Sequence, residues 1–255
     1  MEFLKKLSLK TKVTIFISAS FFLAFITIVI VVSLKNVDLD NKALELKAKN
    51  QATILLDLID RNLFERNGDV KAFASNPLVA EILQNTDFTN ENYNIVKALQ
   101  DQLNKLTAYY ECYDLMMICD INGKVLYTNS KDRNGNEVNF NDLKSENFAN
   151  ENWFKQAIKS NSNNFESNIT KNTSIAKVCK NSGVGIEYSF AITNEYGDVV
   201  GVWYNFFNYN FVVDIMLEDL EKELQKSNDL ASHLFLIHKS GKIISSTNKK
   251  LYENN

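Results

Sequence analysis

The chain has 255 residues, 45% of them hydrophobic and 23% charged, with a formal net charge of −3. That composition excludes wholesale disorder, and the near-balanced charge leaves no electrostatic footprint for nucleic acid. One proline and eight glycines allow long uninterrupted elements, and three cysteines (Cys112, Cys119, Cys179) are too few and odd in number for a disulfide framework. One bridge stays open as an alternative to three small buried apolar side chains.

From Val13 to Leu34 the run VTIFISASFFLAFITIVIVVSL carries no charge. As a helix it reaches about 33 Å, enough for a hydrocarbon core about 30 Å thick. Lys5, Lys6, Lys10 and Lys12 precede it, whereas Lys35, Asp38, Asp40 and Lys42 after it nearly cancel. The positive-inside bias therefore puts 1–12 in the cytoplasm, 13–34 across the inner membrane, and the bulk outside. A cleaved signal peptide has a shorter apolar core and a small-residue cleavage site, so an uncleaved anchor is expected. The next most apolar stretch, Val199 to Met216, carries Asn205, Asn208, Asn210 and Asp214 and is too polar for a second span.

Asn36 to Asn76 reads as one long helix. Ala52, Leu55, Leu56, Ile59, Leu63, Val70, Phe73 and Ala74 make one apolar stripe, and Asn76-Pro77 ends it. Two shorter helices parting near Gly68 are the alternative. A second helical pattern runs from Glu91 to about Tyr110. The pattern then changes to strands: LMMICDINGKVLYTN (115–129) folds about Asn122-Gly123, a strong hairpin signal. Ser130 to Asn150 reads as polar loop with one short helix, and ENWFKQAIKSN as a short amphipathic helix. Asn161 to Ser182 is polar again, with two short strands. GVGIEYSFAITN and VVGVWYNFF form a second hairpin about 195–198, and a helix follows from Tyr209 to about Asp229.

The stretch LFLIHKSGKIISST (234–247) is a third hairpin. Sliding the sequence by 118 residues lays MMICDINGKVLYT on LFLIHKSGKIISS, with Gly123 on Gly241 and Lys124 on Lys242. This is a short internal repeat. A lone two-stranded hairpin is marginal in water. The expected organisation is therefore one helix-plus-sheet module over 35–230 and the first hairpin of a second, cut short, over 231–255. The fold class is α+β: a single transmembrane helix, a spine helix, an antiparallel sheet module, and the start of another.

The order of these pieces carries a resemblance: an inside-facing anchor, a long helix bearing ERNGDVKAFASNP, the DINGKVLY hairpin, NWFKQAI and GDVVGVWYNFF. It resembles the N-terminal half of bacterial methyl-accepting chemotaxis proteins with a double Cache (tandem PAS-like) sensor, from Met1 to about Ser246. The resemblance implies a periplasmic sensor whose membrane-distal module binds a small molecule, in a homodimer about the spine helices. The Ala52–Ile59–Leu63 stripe is then expected at intramolecular and dimer contacts. In amino-acid-binding members of that family an Arg-x-Trp-Tyr motif grips the ligand carboxylate and an Asp on the last distal strand holds the amine. Trp153 and Phe154 match the aromatic pair. Glu151 stands where the Arg would be, and the Asp would fall near Asn205 or Phe206. The implied ligand is therefore an amine or cation, with Glu151 or Glu187 as counter-charge and Trp153 as a stacking face. Tyr188 and Tyr204 join them as pocket lining. Packing of a short helix and a strand core accounts for the same aromatic residues without a ligand.

Catalysis finds no support. The histidines are His233 and His238 alone. No Cys/His zinc spacing, G-x-S-x-G elbow or Gly-rich phosphate loop occurs, so no cofactor or metal is expected and the segment reads as non-enzymatic. Sequons at Asn168 and Asn172 mark polar loops. The same ectodomain on a histidine kinase or a cyclic-di-GMP enzyme, or a passive membrane-anchored binding module, are the alternatives.

Overall fold

The computed structural model describes residues 8–84, 90–159, 165–226 and 233–248. The chain divides into two units, Met1–Asp57 and Leu58–Asn255, and helix α1 (Leu9–Ala74) belongs to both. It is unbroken at Gly68, because Gly in a helix costs only about 1 kcal/mol, less than the burial of Val70 and Ala74 beyond it contributes.

In the first unit α1 is exposed from Leu9 to Asn50, and it is long and apolar enough to cross a membrane. Within the apolar run hydroxyls fold back on the helix, as where Ser20 Oγ donates to the Phe16 carbonyl and Thr27 Oγ1 to that of Leu23, both at 2.9 Å. A hydrocarbon phase would find both already satisfied.

In the second unit the helix ends before Asn76, whose Oδ1 accepts from the Leu78 N–H at 3.1 Å. Pro77 follows at the first helical position, where its missing N–H costs nothing. Together they start α2 (Pro77–Gln84), a helix where the sequence reading had only a break. Then come α3 (Asn90–Tyr110), β1 (Tyr113–Asp120), β2 (Val125–Thr128), α4 (Phe140–Lys144), α5 (Asn152–Lys159), β3 (Phe165–Glu166), β4 (Thr170–Lys171), α6 (Thr173–Cys179), β5 (Val184–Thr193), β6 (Val199–Phe207), α7 (Tyr209–Lys226), β7 (Phe235–Ile237) and β8 (Ile243–Ser246). The expected end of α7 near Asp229 lies outside the described residues. The main sheet is antiparallel, in the order β2-β1-β6-β5-β3, with β4 beside β5.

Strand alternation gives this sheet two different faces. On one, Leu115, Met117 and Cys119 of β1 lie with Val202, Tyr204 and Phe206 of β6, under Trp153, Phe154 and Ala157 of α5 and Ile175 and Val178 of α6. On the other, Ile118 pairs with Trp203, the Phe73 ring of α1 sits 5.7 Å from Trp203, and α2 and α3 pack on β6 and β1. Burial of each such side chain contributes about 1.5–3 kcal/mol.

The α1 stripe holds one charged residue among its apolar ones. Arg66 is 8% exposed. Its Nη1 donates to Cys112 Sγ at 3.0 Å, and its Nε makes a bent ion pair with Asp69 Oδ2 at 3.0 Å. The Tyr113 hydroxyl donates to the same Asp69 oxygen at 2.7 Å. All three cysteines are buried and unbridged, and burial pushes the Cys112 thiol up to about 11.

The β1–β2 and β7–β8 hairpins repeat each other in register and in their turn and closing backbone bonds. Each has a register shift at the same place, between Ile118 and Cys119 and between Leu236 and Ile237. Gly123 at φ +80° answers Gly241 at φ +87°. The Gly123 N–H donates to the Asp120 carbonyl at 3.1 Å and that of Gly241 to the His238 carbonyl at 2.8 Å. The Asn129 and Thr247 N–H groups close the open ends on the Met116 and Leu234 carbonyls, at 3.2 and 3.1 Å.

Candidate functional site

The face of the sheet under α5 and α6 gathers five of the six residues singled out in the sequence. The Glu151 N–H donates to the Phe148 carbonyl, and the Glu151 carbonyl accepts the first helical bond of α5 from Lys155 at 3.0 Å. Its carboxylate is exposed. Trp153 and Phe154 follow on the inner side of α5, each 1% exposed. The Trp153 ring lies 4.4 Å from that of Tyr204, tilted by 47°, and its carbonyl accepts from Ser189 Oγ at 2.9 Å. Tyr204 is fully buried. The indole is therefore a packing element between helix and strand, with its face taken by Tyr204.

Glu187 is the polar centre of this face. Its Oε1 accepts from the Tyr204 hydroxyl at 3.1 Å and from Asn172 Nδ2 at 2.9 Å. Its Oε2 accepts no hydrogen bond from the described residues. Burial pushes the Glu187 carboxyl above the usual glutamate range. The two donors pull it partly back, and the nearby charge of Glu151 adds to the rise. A half-buried carboxylate with an open oxygen and a second carboxylate close by is chemistry suited to a cationic donor.

Tyr188 belongs elsewhere. Successive strand residues point to opposite faces, so the neighbour of Glu187 faces away from it. Tyr188 is buried against Phe207, with ring centroids 6.2 Å apart, and its hydroxyl has no hydrogen-bond partner among the described residues. Asn205 lies on that same face and accepts from Trp203 Nε1 at 2.7 Å, while Phe206 lies with Tyr204. Neither position brings an acid to the Glu187 side.

Asn172 is a residue the sequence reading passed over as a sequon in a loop. It caps α6, its Oδ1 accepting from the Ile175 N–H at 3.1 Å, and its amide turns to Glu187. The readable signal was an Asn three residues ahead of the apolar set Ile175, Ala176 and Val178, a helix start.

The chain matches no protein-family model and no curated protein in sequence. Among solved structures, the sensor domain of the histidine kinase DctB of V. cholerae is similar with a TM-score of 0.53, at 13% identity over 82% of this chain and 69% of that one. The sensory domain of the Campylobacter jejuni chemoreceptor Tlp3 with isoleucine bound gives 0.46, at 22% identity over 80% and 72%. The ligand-binding domain of the Pseudomonas aeruginosa PAO1 amino acid chemoreceptor PctC in complex with GABA gives 0.48, at 13% identity over 78% and 74%. The likeness to DctB shows the fold alone, α+β with a long N-terminal helix and an antiparallel sheet.

Proposed function

We propose that the chain is the extracytoplasmic small-molecule sensing region of a transmembrane chemoreceptor of the methyl-accepting kind. Residues 13–34 anchor it in the inner membrane with 1–12 in the cytoplasm, 35–230 form the sensor module, and 231–255 open a second one. One observation carries the reading: a single helix contains both the uncharged apolar run and the residues, Val70 and Ala74, buried in the sensor-fold unit. The repeated hairpin supports the second module. The ligand is a small amine or cation held at Glu187 and Glu151, over the core of Trp153, Phe154 and Tyr204. It would draw a donor to Glu187 Oε2 and so bias the packing of α5 and α6 on the sheet, by no more than its differential affinity for the two packings. A homodimer about α1 would pass that bias across the membrane. The same sensing region on a histidine kinase or a cyclic-di-GMP enzyme is the second reading, favoured by the fold shared with the DctB sensor domain.

Two measurements test this. Protease added to intact spheroplasts should digest the chain beyond residue 35, and protection of that bulk refutes the topology. Putrescine and choline, titrated into the full chain in detergent, should raise its thermal midpoint saturably, and Glu187→Gln should remove the rise. A rise that survives Glu187→Gln places the cation elsewhere.

The pH dependence follows from the same residue. A carboxyl raised in the folded state contributes stability that is complete below its usual range and is lost as pH climbs through the raised value. Glu187→Gln stays neutral, so its midpoint should fall less than that of the parent as the pH rises above the usual glutamate range. Asp69 and Asp114, also raised by burial, keep part of the slope in the variant. Identical slopes would show that Glu187 ionises as it does in water.

A further inference from the structure

The loop over 130–138 and the C-terminal end of α6 close over the start of β1 and leave a cavity of about 550 Å³. That is within the range of small-molecule sites. Its wall is polar and includes Asp114, Asp132, Arg133, Asn134, Asn136 and Asn181. None of these belongs to the Glu187 cluster.

Asp114 is 3% exposed. Its Oδ2 accepts from Asn181 Nδ2 at 2.7 Å and from Asn208 Nδ2 at 2.9 Å. Its Oδ1 has Arg133 Nη1 at 3.8 Å, beyond hydrogen-bond reach, and no closer donor among the described residues. The Arg133 guanidinium lies over the Phe211 ring, 3.6 Å from its centroid. That stack fixes its plane, and its Nε and Nη1 are buried without a hydrogen-bond partner among the described residues. A buried acid and a largely buried guanidinium thus stand side by side, each short of a charge-assisted hydrogen bond. Asp132 does not complete the set. Its Oδ1 accepts from the N–H groups of Asn134 and Asn136, and its Oδ2 from Asn136 Nδ2.

The group that completes this arrangement must donate to Asp114 and accept from Arg133 across one short gap. A carboxylate at Arg133 would lie against Asp114, with Asp132 nearby, and like charges at that range repel. An ammonium at Asp114 would lie against Arg133. No three His, Cys, Asp or Glu side chains among the described residues form a metal-holding group. A hydroxyl does both tasks at once without a charge, since it has one donor and two acceptor lone pairs. The surrounding asparagine amides suit further hydroxyls on the same molecule.

We propose that this cavity binds a neutral polyhydroxyl compound, a sugar or a polyol, as a site separate from the acidic cluster around Glu187. One hydroxyl bridges Asp114 Oδ1 and the Arg133 guanidinium, and others meet Asn181 and Asn134. Polyols at high concentration stabilise any protein by exclusion from its surface, so heat of binding is the readout rather than a melting midpoint. Glucose, ribose and sorbitol are titrated calorimetrically into the full chain in detergent, with L-alanine and acetate as charged probes. At least one polyol should give a saturable heat. Arg133→Ala should weaken it about tenfold or more, and Asn134→Trp, which crowds the cavity from an exposed position, should abolish it. Glu187→Gln should leave it unchanged. No saturable heat from any of the three overturns the proposal, as does heat that survives both cavity variants, or heat lost in Glu187→Gln. Binding of L-alanine or acetate in their place, lost in Asn134→Trp, overturns the ligand class. Should Arg133→Ala fail to fold, Asn134→Trp decides alone.

Discussion

The β1–β2 and β7–β8 hairpins have the same turn, the same register shift and the same closing bonds, yet opposite surroundings. In β1 the residues from Tyr113 to Cys119 are all buried, because β6 pairs along the outer edge of β1 and helices cover both faces. In β7 Phe235 is 40% and Ile237 56% exposed. Among the described residues no strand pairs along its outer edge. Its support comes from α7, where Ser245 Oγ meets Asp214 and Thr247 Oγ1 donates to Glu221 at 2.9 Å. Turn chemistry thus suffices to shape a hairpin, and tertiary cover decides what each residue in it is worth.

Substitutions at equivalent positions should expose that inequality, each read by urea titration of the full chain. The largest contrast is expected in the strands. Ile118→Ala empties a site fully closed to solvent and should cost about 2–5 kcal/mol. Leu236→Ala, half-buried at the equivalent place, should cost about 1 kcal/mol. Equal losses would mean that β7 is covered as thoroughly as β1. The turns come next. A Cβ on Gly123 would lie 2.2 Å from the Ala149 nitrogen, whereas nothing approaches one on Gly241 within 4 Å. Gly123→Ala should therefore cost about 3 kcal/mol, and Gly241→Ala only the backbone strain of about 1 kcal/mol. A Gly241→Ala variant as damaged as Gly123→Ala would break the comparison. The smallest effect concerns the turn side chain. Asp120 Oδ1 accepts from the N–H groups of Asn122 and Lys124, both at 2.9 Å, while His238 Nδ1 meets Ser240 alone among the described residues, its N–H at 3.2 Å and its Oγ at 2.8 Å. His238→Asp should restore the missing bond and gain about 0.5 kcal/mol.

Elements with a strong period or a glycine turn were legible in the sequence: the unbroken α1, α3 from one residue earlier than expected, both long hairpins, α5, and the strands beside Gly123 and Gly197. What escaped was local or assembled. The helices α2 and α6 are short and owe their starts to Asn76-Pro77 and Asn172, cues read as a break and a loop. Arg66 escaped because nothing in a helical stripe announces that a guanidinium will be buried beside Asp69 and Tyr113. Within the candidate site, Trp153 and Phe154 were found by their place in the motif, but their enclosure depends on Tyr204, far along the chain. Tyr188 could have been set apart from Glu187 by strand alternation alone. The cavity at Asp114 was not legible at all, since its wall is drawn from β1, the loop over 130–138 and the end of α6.

The double engagement of Asn172 bears on how the protein should be produced. Its side chain is committed at both ends, oxygen to the Ile175 N–H and nitrogen to Glu187, so a glycan attached there would unseat a helix start and strip a carboxylate of its donor. Asn168, in the other sequon, is exposed and could carry the same sugar harmlessly. Secretion from a eukaryotic host therefore risks damaging one corner of the fold, and bacterial expression avoids it.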